Sequence, residues 1–125
     1  AGADLVVLPP SNPVVSVGTI LGVPQVREAI RATPAPVVGV SPIIGGKTVK
    51  GPAAKMFSEL GIDPSILAVA NHYEKLLTGI VVDSLDSELA KQIRIRTLVT
   101  NTLMNSNADR AALAHATLQF IGNLQ

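Results

Sequence analysis

The side chains best equipped for chemistry sit in two loops of opposite character. The first, Pro9-Pro10-Ser11-Asn12-Pro13-Val14-Val15-Ser16-Val17-Gly18-Thr19, carries no charge and sets three prolines among four polar residues. Proline fixes φ and stiffens such a loop. Ser11, Asn12, Ser16 and Thr19 held in this way could hydrogen-bond a phosphate, a ribose or the edge of a heterocycle, and Gly18 would let backbone N–H groups come close to a ligand. The competing reading is a turn in which Ser11 and Asn12 cap their own backbone, as both residue types commonly do.

The second loop, Ser41-Pro42-Ile43-Ile44-Gly45-Gly46-Lys47-Thr48, falls one residue short of the phosphate-binding pattern G-x-x-x-x-G-K-[ST], with Ser41 in place of the first glycine. A true P-loop starts its helix at the lysine. Here Pro52 marks a later helix start, so a P-loop nucleoside triphosphatase is the lesser reading. Gly45 and Gly46 followed by Lys47 and Lys50 still suit an anion cradle of backbone N–H groups and ammonium charge, against a plain glycine turn with solvated lysines. His72, near the end of a helix where a cation is favoured, could touch a ligand or serve structure. His115 reads as an ordinary helix residue, and Asp83 as a strand-end carboxylate that N-caps the next helix. Residues 28, 59, 74, 75, 88 and 91, all Glu or Lys, read as solvated helix faces.

Composition narrows the classes. In 125 residues there are 10 Lys/Arg against 9 Asp/Glu, a net charge of +1, with 47% hydrophobic and 2% aromatic residues and no cysteine. That is neither a basic field nor a stacking platform, so nucleic-acid binding is disfavoured. Disulfides and thiolate sites are excluded, which suits a reducing, cytoplasmic setting, and two histidines are too few for a metal centre of their own. Apolar runs are broken by Pro, Ser or Gly far short of the roughly 20 residues a membrane helix needs, and no secretory signal opens the chain. A start at Ala-Gly-Ala-Asp leading straight into a strand predicts a piece of a longer polypeptide.

Positioning these loops requires strands. Leu5–Leu8, Val37–Val40, Gly79–Asp83 and Arg96–Thr100 are short, β-branched and bounded by turn residues, as in strands buried on both faces of a parallel sheet. Helices are expected from Pro24 to Ala32, Pro52 to Leu60 and Pro64 to Leu76, the last with Asp63 as N-cap and an Ile62–Leu67 staple. A C-terminal amphipath comes last, capped by Asn107, with Leu113, Ala116, Phe120 and Leu124 on one stripe. The alternation predicts an α/β class: a single Rossmann-like three-layer αβα unit over residues 1–125 with a mostly parallel sheet, part of a larger domain. Ligands then belong at the carboxyl ends of the strands, in the loops after Leu8, Val40, Val82 and Val99.

Residues 8–21 and 35–47, with Asn71-His72-Tyr73 and Thr100-Asn101-Thr102-Leu103-Met104, closely resemble the 2-phospho-L-lactate transferase family of deazaflavin coenzyme biosynthesis. The resemblance spans nearly the whole chain and corresponds to the family's C-terminal part only. It implies transfer of a phospholactyl or phosphoenolpyruvyl group from a guanosine-diphospho-activated donor to the terminal hydroxyl of a deazaflavin precursor, releasing GMP. In that reading Lys47 clamps donor phosphates, Ser11, Asn12 and Ser16 give polar contacts, and Gly18, Thr19, Ser41, Gly45, Gly46 and His72 complete the substrate-binding set. Magnesium would be held by acidic residues upstream of this chain, and the chain would form a homo-oligomer or associate with the N-terminal segment. Four positions depart from the family pattern: Gln25 for Gly, Ala54 for Asp, Asn71 for Arg and Asn101 for Asp. A nucleotide or sugar-nucleotide binding regulator on the same scaffold is the alternative.

Overall fold

All four β-branched runs become strands of one parallel sheet. The computed structural model describes residues 2–48, 51–73 and 75–124. In chain order the elements are β1 (Val6–Leu8), α1 (Gly18–Leu21), α2 (Val26–Ala32), β2 (Val37–Val40), β3 (Ile43–Ile44), β4 (Lys47–Thr48), α3 (Ala53–Glu59), α4 (Ile66–His72), β5 (Gly79–Asp83), α5 (Ser87–Ala90), β6 (Arg96–Thr100) and α6 (Asn107–Leu124). The sheet runs β1-β2-β5-β6, every pair parallel, in a register that aligns Val6 with Val37, Val38 with Gly79 and Gly79 with Arg96.

Every residue of β2 and β5 is buried, as unbroken apolar runs require when helices cover both faces. Full burial of each Val or Ile there contributes about 1.5–3 kcal/mol. The two faces are covered unequally. Leu8, Ile80 and Val82 pack with Leu21, Phe57, Ile66, Val69 and Ala90, so one face carries α1, α3, α4 and α5. The other, with Val38, Val40 and Val81, packs on Leu113, Phe120 and Ile121 of α6, with Leu5, Leu98 and Leu124 partly buried beside them. Gly79 permits that packing: a Cβ there would lie 2.9 Å from the Phe120 ring. No helix among the described residues is long and apolar enough to cross a membrane.

Several expectations are corrected. β1 and β6 are edge strands, not ones buried on both faces, and Val7 and Val99 are 38% and 39% exposed. Ser65, extended at φ −160°, caps α4 by accepting from the Ala68 N–H at 3.2 Å, so Asp63 is not the cap. Ile62 is exposed and forms no staple. The helix stops at His72 because Lys75 adopts a left-handed φ of 68°, which also takes Lys75 off any helix face; Glu74 lies outside the described residues. Gln25 at φ 76° delays α2 to Val26, and a left-handed non-glycine residue there costs about 1–2 kcal/mol. At α6 the capping oxygen belongs to Ser106, which accepts from Asp109 N–H at 3.1 Å; Asn107 is already helical. The buried stripe reads Leu113, Thr117, Phe120 and Ile121, and Thr117 fits because its hydroxyl donates back to the Leu113 carbonyl at 2.8 Å.

The two polar loops differ most from expectation. Residues Pro13–Val17 form a π-helical turn that runs directly into α1. The Gly45–Gly46 pair is the turn of an antiparallel hairpin, with Ile43 facing Thr48 and Ile44 facing Lys47. Lys47 therefore lies in a strand, where a P-loop lysine would open a helix. Lys50 lies outside the described residues.

Candidate functional site at the carboxyl edge of the sheet

Two clefts open where the strands end. After β2 the chain passes through Ser41 and Pro42 into the β3–β4 hairpin; after β5 a 3-10 turn, Ser84–Asp86, leads to α5; after β6 residues 101–106 lead to α6. One cleft of about 360 Å³ is lined by Lys47, Thr48, Asp83, Leu85, Asn101 and Leu103. A neighbouring one of about 220 Å³ is lined by Pro10, Ser41, Pro42, Thr102, Met104 and Arg110. Ile44 and Leu103 belong to both, so the pair forms one continuous edge. Lys47 lines the larger, and Arg110, in the first turn of α6, lines the smaller while its guanidinium donates to Asn107 Oδ1 at 2.7 Å.

Buried polar groups fix the rim. Asp83 Oδ2 accepts from Leu85 N–H at 3.0 Å, and Oδ1 accepts from both the N–H of Thr102 at 2.8 Å and its hydroxyl at 3.2 Å. Burial alone would raise its pKa; these donors, with the Leu103 N–H, outweigh it and hold the carboxyl below its ordinary range. Asp83 thus caps the turn after β5, as its position suggested, and also ties the ends of β5 and β6 together. Ser41 is buried, its N–H donating to Val81 carbonyl at 2.9 Å and its hydroxyl accepting from Ile43 N–H at 3.2 Å. Asp86 Oδ2 accepts from Gly45 N–H at 3.0 Å.

The residues singled out from sequence divide into two groups. Ser41 and Lys47 line the clefts, and Gly45 and Gly46 form the tip of the hairpin that carries Lys47. The first loop is bound up in its own backbone. Asn12 Oδ1 accepts from the Val14 and Val15 N–H groups at 2.9 and 3.2 Å, and the Thr19 hydroxyl donates to the Val15 carbonyl. Gly18 fits a close approach, since a Cβ would lie 2.9 Å from the Pro13 carbonyl oxygen. Ser11 is half-buried and Ser16 exposed beside them. His72 Nε2 lies 3.0 Å from the Pro13 carbonyl oxygen, and its ring meets Phe57 and Tyr73 edge-on at 6.0 and 5.4 Å. It ties α4 to the π-helical turn. Arg110, Thr102 and Asp86 were missed: Thr102 and Asp86 stand just after β6 and β5, but the contacts that matter are made across the fold, and Arg110 lies further on, in α6. Of the four departures from the family pattern, only Asn101 lines these clefts, its Oδ1 accepting from Leu103 N–H at 3.1 Å.

Among the described residues no three His, Asp or Glu side chains gather as a metal site. Asp83 and Asp86 are committed to backbone donors, and the two do not fit magnesium, which binds through carboxylates free to face the ion and its waters.

The family model described as 2-phospho-L-lactate transferase CofD matches residues 1–121. The 2-phospho-L-lactate transferase of Methanocaldococcus jannaschii is 38% identical over 122 residues, covering 98% of this chain and 39% of that protein. The phosphoenolpyruvate transferase of Kitasatospora aureofaciens is 43% identical over 125 residues, 93% of this chain and 39% of its own length. That of Thermobifida fusca is 52% identical over 87 residues, 69% and 26% of the two chains. The chain thus spans about two fifths or less of the length of these relatives.

Proposed function

The chain belongs to the 2-phospho-L-lactate transferase CofD family, and from that membership we propose that it is part of a cytoplasmic transferase in deazaflavin coenzyme biosynthesis. The reaction is attack by the terminal hydroxyl oxygen of a deazaflavin precursor on the phosphorus bearing the lactyl or enolpyruvyl group. A P–O bond to the acceptor forms, the anhydride bond to GMP breaks, and the hydroxyl proton passes to solvent. Such a transfer depends on positioning and charge neutralisation and needs no covalent nucleophile.

The observation that supports this reading most is the shape of the carboxyl edge. Lys47 stands in the larger cleft, in reach of a nucleoside diphosphate laid across the strand ends, and Arg110 stands in the smaller one. Ile44 and Leu103 give an apolar ridge between them on which a ring system could rest. Lys47 neutralises donor phosphate, and Arg110 is placed for the carboxylate or phosphate of the transferred group. Magnesium, as the resemblance implies, would come with carboxylates outside these residues.

Lys47→Ala in the intact protein should weaken binding of a guanine nucleotide by about 1–3 kcal/mol, the range for a hydrogen bond to a charged group. Calorimetric titration with GDP checks this. Unchanged affinity would return Lys47 to the solvated surface and remove the main support for the donor site.

A further inference from the structure

The β3–β4 hairpin has little of its own to hold it in place. Each strand is two residues long, well short of a hairpin that is stable alone. Gly45 and Gly46 have φ of 58° and 81°, the left-handed pair that a two-residue hairpin turn requires. In such a turn the flanking residues, Ile44 and Lys47, use the ladder hydrogen bonds, so the Gly45 N–H is left facing away from the hairpin. That donor meets the Asp86 carboxylate at 3.0 Å, 41 residues away in sequence. Asp86 is buried, at 8% exposure, and closes the 3-10 turn that follows β5. On the other side, the Pro64 carbonyl oxygen lies 3.4 Å from where a Cβ on Gly46 would sit. The tip thus lies close to the backbone just ahead of α4 on one side and is bonded on the other to a carboxylate in the turn that follows β5. Lys47 comes directly after the tip and lines the larger cleft.

We propose that Asp86 is a positioning residue: through the Gly45 amide it sets the height of the hairpin over the end of β5, and so places the Lys47 ammonium in the cleft. The proposal rests on the reading of Lys47 as the cation for donor phosphates. A carboxylate suits the task because its bond to a backbone N–H is charge-assisted and stronger than a neutral one. Ile43, fully buried in the core, fixes the base of the hairpin, and the Asp86 contact fixes the tip beyond it; without that contact the ammonium samples a volume where the donor needs a point, and displacement of about 1 Å at such a contact can cost a hundredfold in rate.

The test compares Asp86→Ala and Asp86→Asn in the intact protein, each alone and with Lys47→Ala, using GDP as probe. Deuterium exchange at the Gly45 amide should be about tenfold faster in Asp86→Ala, and the GDP dissociation constant about tenfold higher, as expected for loss of ~1.4 kcal/mol. Asparagine keeps a neutral acceptor, so Asp86→Asn should move both by about two- to threefold, and it carries the test if the alanine variant does not fold. In the Lys47→Ala background, Asp86→Ala should add less than about twofold, because the two residues act as one unit. Unchanged Gly45 exchange overturns the proposal, as does a loss of GDP affinity that is equal in both backgrounds. Faster Gly45 exchange with no effect of Lys47→Ala on GDP binding would instead remove the donor-site reading while leaving the hold of Asp86 on the hairpin intact.

Discussion

Tyr73 carries a hydroxyl into the core with nothing among the described residues to receive it. The residue is 2% exposed, and its oxygen has no hydrogen-bond partner. Burial pushes its pKa up from 10.0 to about 12. The folded state therefore keeps a proton that the unfolded chain releases near its ordinary value, and stability is intact below pH 10 and falls as pH rises from 10 towards about 12. Tyr73→Phe removes a polar group that makes no bond and keeps the ring, so it should stabilise the fold by about 1 kcal/mol at neutral pH. It should also abolish this share of the alkaline loss. Urea unfolding at neutral pH and within that alkaline window tests both, and a destabilised phenylalanine variant would mean that the hydroxyl has a partner after all. Tyr73 is the exception at this scale. Asn12 and His72 have types that suggest ligand contact, yet Asn12 Oδ1 and His72 Nε2 engage the backbone of the first loop and Asn12 Nδ2 donates to the Met56 sulfur. Asn, Ser and Thr bond a neighbouring amide as readily as a ligand, so residue type alone could not separate the two roles.

At the scale of elements, α6 depends on one missing side chain in β5. Phe120 packs against the Gly79 backbone, and a Cβ there would meet its ring at 2.9 Å and Leu124 at 3.2 Å. Gly79→Ala should cost about 1–3 kcal/mol by overpacking, and Phe120→Leu should recover part of that loss only in the alanine background. Chemical denaturation of the four proteins in the cycle measures the coupling, and purely additive losses would mean that the helix shifts freely. The strands were legible because β-branched runs between turn residues have few other uses: β2, β5 and β6 stand where Val37–Val40, Gly79–Asp83 and Arg96–Thr100 were expected. The hairpin was not. Ile43-Ile44 and Lys47-Thr48 are too short to show a strand period, and a Gly-Gly-Lys-Thr tract serves a hairpin turn or a phosphate loop equally well until its neighbours are seen in space. Burial of β1 and β6 was misjudged for a related reason, since a sequence run gives its apolarity and not its place in the sheet. At the carboxyl edge, Ser41 and Lys47 were legible; Asp86 and Arg110 were not, because what matters is a contact across the fold.

For the whole molecule, the strand order runs in one direction from β1 to β6 without reversing, and doubly wound sheets bind across the point where the order reverses. These four strands hold no such point, and β1 is one of the two edges of their sheet. That edge is apolar: Val7 is 38% exposed, and beside it Pro9, Met104, Leu113 and Leu118 line a groove of about 290 Å³ along α6. An open edge over an apolar groove invites pairing with another chain. We predict that the 125 residues expressed alone self-associate, and that Val7→Lys shifts them towards monomer in sedimentation velocity, as charge on an edge strand blocks pairing. Expressed alone, these 125 residues should also be catalytically silent. Asp83, which lines the larger cleft, and Asp86 behind the hairpin tip are engaged with the amides of Leu85, Thr102 and Gly45. A diphospho donor carries more negative charge than Lys47 and Arg110 can neutralise, and the balance must come from groups beyond these strands. Binding should survive in weakened form, since the clefts are formed by residues of this chain. Assaying GMP release with activated donor, deazaflavin acceptor and magnesium separates these outcomes: GDP binding without turnover is expected, and turnover at the rate of the intact protein would place the catalytic groups within these residues.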